Sequence, residues 1–370
     1  MFDYEKRFET VAEIARAQAT KTDVGAFPEA SLKALAENGF FGLISSPEVG
    51  GHGLGMEAAA WVIERLAREC GSSAMVLTMH YAATVVIEQL GPIDIRRAIA
   101  RGEHLSTLAF SEPGSRSHFW APLGTAASES DGARLDGKKS FVTSARHADT
   151  YVWSSKPLAG NELSSLWLVP RTTHGLRIDA PFDGLGLRGN DSSPVTAEAA
   201  RVPRSALLGE DGAGFGVMIN TVLPWFNVLL TANSLGLMES AVEKVAGHVR
   251  AASLAHASSS LADLPTVRAY IARMRIATDQ TRALLRDTIA AISTGRADAT
   301  LRVLECKAAS GESAITVTDL AMRVAGGAAF RKELGLERAF RDARASVVMG
   351  PTADVLYDFI GKAVCGLPLF

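Results

Sequence analysis

The stretch LAFSEPGSRSHF, residues 108–119, is where the texture of the chain changes. A short β-like run ends at Ser111. Pro113 and Gly114 then supply the fixed φ and the missing side chain of a tight turn, with Ser115 and Ser117 close behind. Backbone N–H groups and hydroxyls in such a turn can grip an anion or a planar heterocycle. Turns of this composition are common, so the segment gains meaning only from what surrounds it.

Around it the same texture continues. HLSTLAF (104–110), KKSFVTSA (138–145), DTYVWSS (149–155) and SSLWLVP (164–170) read as strands, rich in β-branched and aromatic residues. EPGS, SDGARLDG, KPLAGNE and RTTHG separate them with the Gly, Pro, Asp and Asn that turns require. Asp136-Gly137 predicts a hairpin, followed by a strand on which Phe141 and Thr143 alternate. An aromatic face beside a hydroxyl suits a flavin ring. The expectation is a compact antiparallel β-domain over 105–212.

On either side the period is helical. Phe8, Val11, Ile14 and Ala15, then Leu32, Leu35 and Phe40, then Val62, Ile63, Leu66 and Ala67 form apolar stripes in residues 1–104, broken by the glycine-rich SSPEVGGHGLG at 45–55. Beyond residue 213, Val267, Ile271, Met274, Thr278, Thr281, Leu285, Ile289 and Ile292 hold one face of a long helix, which predicts a helical bundle over 213–370. The chain is therefore expected to be α+β, with a helical domain, a β-domain and a second helical domain.

Composition narrows the function. The 370 residues are too many for one ordinary core. A formal net charge of −2 gives no electrostatic reason to expect nucleic acid or an anionic membrane as partner. Three cysteines without a CxxC argue against a disulfide framework or a cysteine metal site. The N-terminus is charged from Asp3 onward, unlike a secretory signal, and no apolar run approaches the roughly 20 residues of a membrane span. A cytoplasmic globular protein without a metal is the expectation.

Seven segments in register resemble the acyl-CoA dehydrogenase superfamily. GLISSPEVGGHGLGM (42–56) and ERLARECGSSAMVLTMH (64–80) look like a loop and helix of its first domain. LAFSEPGSRS looks like its flavin-binding T-E-P-G-A-G-S turn, and LDGKKSFVTSA like its L-N-G-x-K-x-W-I-T-N strand. GLGLRGNDSSPV (184–195), VPRSALLGEDGAGF (202–215) and the AGGAAF…ERAFRDARA segment (325–345) follow. The resemblance implies an acyl-CoA dehydrogenase-like fold that binds FAD, with FMN as the alternative, in a homodimer or homotetramer. It implies an acyl thioester, on CoA or a carrier protein, as substrate. Electrons would pass to a second flavoprotein, or arrive from a flavin reductase.

Carried over residue by residue, the resemblance assigns the flavin ring to Phe110, Ser111, Phe141 and Thr143, with Phe141 in place of the family's Trp. Ser117 falls at a position associated with the acyl-CoA ligand, and His118 replaces the Asp beside it. On the adenine side LAHASSS (254–260) stands where the family has R-x-T-F-G, so its Arg and Phe become Leu254 and Ala257. Arg323 replaces a Gln ahead of the pair Gly326 and Gly327, and offers a charge to phosphate.

The reaction centre departs furthest. In RDARASVVMGPTADVLYDF (341–359), the family's I-Y-E-G-T places its catalytic Glu on Gly350, its Gly on Pro351 and its FAD-contacting Thr on Thr352. Some branches carry the base instead in a D-x-E-R pattern, which here reads Pro224-Trp225-Phe226-Asn227, with Phe226 for the Glu and Asn227 for the Arg. Both base positions are empty. Phe226, Asn227 and Gly350 are expected beside the substrate. Asp354, at a cofactor-contacting position, is the remaining carboxylate candidate, and His80, Tyr81 and His118 are other candidate bases. A positioned base is commonly worth about 10²–10⁴ in rate, so its loss redirects or ends the usual desaturation. Three functions stay open: an atypical thioester dehydrogenase, a flavin monooxygenase on the same fold, or a binding protein that has lost catalysis.

Overall fold

The computed structural model describes residues 2–115, 117–254 and 259–369, apart from the side chain of Leu254. Five helices come first: α1 (Tyr4–Asp23), α2 (Glu29–Glu37), α3 (Met56–Glu69), α4 (Gly71–Leu90) and α5 (Ile93–Ala100). Asp3 caps α1 by accepting the Lys6 N–H at 3.2 Å, satisfying one of the free amides of its first turn. Helix α4 is apolar around almost its whole circumference and is accordingly buried from Gly71 to Thr78 and from His80 to Ile87.

Two residues of α4 tie the helix to its surroundings. The Tyr81 hydroxyl donates to the Phe40 carbonyl at 2.7 Å. His80, fully buried, lies between two backbone groups: its Nδ1 accepts the Ser106 N–H at 3.2 Å, while Nε2–H donates to the Phe41 carbonyl at 3.3 Å. That pattern requires the neutral ring, because a proton on Nδ1 would face the Ser106 N–H. Burial accordingly lowers the His80 pKa to about 4. Neither residue is a free base.

The middle of the chain forms two sheets, ordered β1-β4-β5 and β2-β3-β7-β6. Their strands are β1 (Ser106–Ala109), β2 (Thr125–Glu129), β3 (Gly132–Val142), β4 (Thr150–Ser155), β5 (Ser165–Pro170), β6 (Leu176–Ile178) and β7 (Ser193–Pro203). The pairing corrects two expectations. It is not wholly antiparallel, since β1 runs parallel to β4. The chain leaves the first sheet after β1, makes the β2–β3 hairpin in the second and returns as β4, which is the crossover that a parallel pair needs. Asp136-Gly137 is not a turn either. The hairpin closes one motif earlier, at Ser130-Asp131, because Glu129 pairs with Gly132. Asp136 and Gly137 lie inside β3 at a register shift, where a Cβ on Gly137 would come 3.0 Å from the Gly124 Cα.

After the short helix α6 (Gly214–Val217) and a π turn at Met218–Val222, the chain runs through α7 (Leu223–Ala251), a two-stranded ribbon of β8 (Ser253–Leu254) and β9 (Ser259–Ser260), α8 (Pro265–Ser293), α9 (Ala299–Ala325), α10 (Leu336–Ala343), α11 (Ala345–Val348) and α12 (Ala353–Val364). Helix α7 packs against α3, α8 and α9 at the centre of the bundle. The helical stretch Gly214–Ala251 has the length and composition to cross a membrane, but half of its apolar window is buried inside the protein, as in a core helix. The principal cluster of buried apolar side chains draws on all three regions, from Phe8 through Trp153 to Val324.

Helices α3 and α7 touch backbone to backbone at Gly236, where an added Cβ would lie 2.3 Å from the Glu64 carbonyl oxygen. Gly236→Ala should therefore destabilise by overpacking, on the order of 1–3 kcal/mol in urea unfolding. Gly247, on the same helix with nothing within 4 Å of its Cβ position, should gain roughly 0.5–1 kcal/mol as Ala. Equal effects at the two glycines would contradict the packing.

His80 sets a pH dependence with a definite sign. Unfolded, the ring titrates near 6.5; folded, it titrates at about 4. In that window the unfolded chain binds a proton that the folded one refuses, so stability falls as pH drops, by about 3 kcal/mol in all. His80→Gln should remove that part of the slope in melting temperature between pH 7 and pH 4.5. A parallel slope in the variant would show that His80 does not carry it.

Candidate active site

The site is built where β1 runs out. The Ser140 N–H donates to the Ser111 carbonyl at 2.8 Å, which joins the end of the first sheet to β3 and sets Phe110 and Ser111 beside Ser140 and Phe141. Between Lys139 and Val142 the register of β3 shifts, and Phe141 takes a positive φ of 49°. The shift turns the ring outward, where it stays 65% exposed with the Phe182 ring centroid 4.5 Å away. It also ends the expected alternation. Thr143 is buried, with its hydroxyl 3.4 Å from that of Ser192, and does not line the cleft.

The cleft is a narrow slot open to solvent. Phe110, Ser111, Ser140 and Phe141 form its β-sheet wall. Met79 of α4, Phe226 of α7 and Gly350 form the helical wall, and Leu108, Phe119 and Val222 complete the lining. Among the described residues, none of the ten that line it is charged. An aromatic plate and two serines at the rim of an apolar slot fit a planar heterocycle with polar edges.

Two buried lysines hold the walls, and sequence reasoning passed over both. Glu112, directly after Ser111, is buried, and one of its oxygens accepts the Gly124 N–H at 3.1 Å. The other accepts the Lys139 ammonium at 2.5 Å. Lys139, also fully buried, donates to the carbonyl and the hydroxyl of Ser154 at 2.7 and 2.8 Å, and lies 4.9 Å above the Trp153 ring. Burial lowers the Lys139 pKa to about 8, against the pull of Glu112. A signal was available: neighbouring strand residues face opposite ways, so one of Lys138 and Lys139 had to point inward.

Lys307 of α9 does the same for the helical wall. Its buried ammonium donates to the carbonyl of Met349 at 3.0 Å and to that of Pro351, with Ser346 O at 3.5 Å. Burial lowers its pKa to about 7. It grips both neighbours of Gly350, whose peptide bond to Pro351 is cis. A Cβ on Gly350 would lie 3.5 Å from the Ser117 Cα, an ordinary contact, so the turn carrying Ser117 packs on the hinge. Gly350 is not in the left-handed region.

Of the residues assigned from sequence, the fold thus gathers Phe110, Ser111, Phe141, Phe226 and Gly350 around one cleft, with Ser117 adjoining. Asn227 is a correction. One residue further round α7 than Phe226, it points into the bundle, is fully buried and donates to the Val303 carbonyl at 3.2 Å. Asp354 stands exposed in the first turn of α12 and Thr352 is half-buried at its cap; neither lines the cleft. His118 is exposed, 3.2 Å from the Ser115 carbonyl, and is not a lining residue. Arg323, Gly326 and Gly327 form a separate exposed group at the end of α9, with the guanidinium 5.0 Å over the Tyr270 ring. Ala257 lies outside the described residues.

Known proteins agree with this architecture. Residues 6–101, 107–200 and 212–365 match, in turn, the N-terminal, middle and C-terminal domains of acyl-CoA dehydrogenases. The chain is 28% identical over 341 residues to the short-chain specific acyl-CoA dehydrogenase of Bos taurus mitochondria, covering 89% of this chain and 81% of that protein. Among solved structures, PigA with FAD and proline superimposes with a TM-score of 0.89 at 23% identity, over 98% of this chain and 96% of PigA. The prolyl acyl carrier protein oxidase AnaB does so at 0.88 and 20%, over 97% and 98%. With all three domains matched in order over most of its length, the chain belongs to the acyl-CoA dehydrogenase family of FAD-dependent oxidoreductases.

Proposed function

We propose that this oxidoreductase acts on an acyl thioester, carried by CoA or by a carrier protein, without a carboxylate at either of the family's base positions. The observation that carries the reading is the uncharged lining of the cleft, with Gly350 and Phe226 where the base would stand. FAD, the family's cofactor, supplies a two-electron acceptor when bound. Ser111 and Ser140 offer a hydroxyl and backbone groups to its polar edge, Phe141 an aromatic face. Phe226 and Phe119 exclude water from the acyl side, which strengthens polar contacts made there. Lys307, through the carbonyls of residues 349 and 351, keeps the hinge in place.

Among the described residues no lining side chain is able to take a proton at neutral pH, which favours a substrate whose α-carbon is already acidic, or a step that does not begin with proton loss. Flavin-dependent oxygenation meets the second condition, and the same lining favours it as the second reading. Electrons then leave to an electron-accepting flavoprotein in the first case, or arrive from a flavin reductase in the second. Arg323 with Gly326 and Gly327 is the proposed contact for the adenine half. A cytoplasmic location suits this partner set.

Simple saturated acyl-CoAs should reduce the bound flavin slowly under anaerobic stopped flow. Gly350→Glu should raise that rate by about 10²–10⁴, since the hinge has room for a Cβ and no left-handed φ. Fast reduction of the unmodified protein by butyryl-CoA would refute the reading, and reductase-driven O₂ consumption with a carrier-bound acyl group would select oxygenation.

The helical domain leaves Ile276 56%, Phe330 85%, Val348 69% and Val364 72% exposed, apolar surface that a second copy would cover. A homodimer or homotetramer is the expected result of sedimentation velocity at micromolar concentration. A monomer there would contradict it.

A further inference from the structure

Away from the cleft, a second, much smaller pocket lies between the α3–α4 junction, α7 and α10. Lys244 of α7 and Arg338 of α10 both line it. Each places a nitrogen 3.4 Å from the same point, the position a Cβ on Gly335 would occupy. Among the described residues neither makes a hydrogen bond or ion pair. Carboxylates stand nearby, Glu69 and Asp342 among the lining itself, but each has another partner. Glu69 is held by Arg16 at 2.8 Å, Glu243 by Arg68 at 2.8 Å, and Glu337 by Arg341 at 3.3 Å. Asp342 accepts the Leu187 N–H at 2.6 Å.

Two like charges facing one half-enclosed space repel, and the carboxylates around them offset that repulsion at a distance without contacting either cation, so an anion placed between the two would add a direct contact. Burial first and Arg338 second lower the Lys244 pKa to about 8, against the opposing pull of Glu69, Glu337 and Glu243. Gly335 keeps the space open. It is buried with φ 61°, a left-handed conformation in which a side chain would be strained and would press on both cations. It is also the N-cap of α10, and no side chain caps that helix, so the amide groups of its first turn add positive potential.

We propose that this cavity binds a small inorganic anion, a halide or an oxyanion, between the Lys244 ammonium and the Arg338 guanidinium. The bound charge fastens α7 to α10, the helix that leads through α11 to the hinge at Gly350.

The test uses the FAD-loaded protein, melted at constant ionic strength in gluconate, too bulky for the cavity, and in chloride or phosphate. A gain of about 2 °C in either small anion is expected, and its source is read from which salt gives it. Lys244→Met and Arg338→Gln should lose that gain, and Lys244→Met should melt no lower than the unmodified protein in gluconate, because it removes a largely buried charge. No gain in the unmodified protein would overturn the proposal. So would an equal gain in the variants, or a marked loss of stability on Lys244→Met in gluconate, which would reveal an internal partner for the lysine. Crystals grown in bromide give a reading without any variant: an anomalous peak between the two side chains supports the site, and its absence at saturating bromide refutes it.

Discussion

The buried pair of Glu112 and Lys139 is the interaction on which the site rests. Glu112 follows β1 of the first sheet, Lys139 lies on β3 of the second, and Ser154, which takes two more of the lysine's protons, belongs to β4 of the first. One ammonium therefore crosses between the sheets. Two charges taken out of water cost several kcal/mol each, and only a fully satisfied geometry returns that cost. Here the lysine finds two serine oxygens and an aromatic face besides its carboxylate, and Glu112 holds backbone N–H groups of the 123–124 segment. Loss of either partner would strand a buried charge and let the turn carrying Ser111 drift from Ser140 and Phe141.

The opposite wall is fixed by the same means with a different outcome. Lys307 binds carbonyls rather than a carboxylate, so the hinge is held by its backbone while the side-chain position at 350 remains empty. The backbone of the hinge is thus fixed while position 350 itself has room for a side chain, with the Ser117 turn in ordinary contact beside it.

Much of this was legible in the chain. The helix–strand–helix order follows from a change of period, from 3.6 to 2 and back, which side-chain geometry alone enforces. Phe110, Ser111, Phe141, Phe226 and Gly350 were found by register with family motifs, and the fold collects them. Asn227 was misassigned because register counts residues, not faces: its neighbour Phe226 meets the cleft, and a step of 100° round α7 turns Asn227 into the bundle. Asp136-Gly137 misled for a related reason. A local turn signal lost to the close approach of Gly124, a contact between strands that no short window contains.

Composition and periodicity were enough for the three-part architecture, because burying apolar stripes is a local demand repeated along the chain. The parallel pairing of β1 with β4, the unpaired approach of Lys244 to Arg338, and the meeting of Glu112 with Lys139 twenty-seven positions later depend on which surfaces the packed elements bring together. Those are long-range outcomes. They were decided only when the sheets closed on each other and the helices settled around α7, since a charge's partner is set by distance in space and not along the chain.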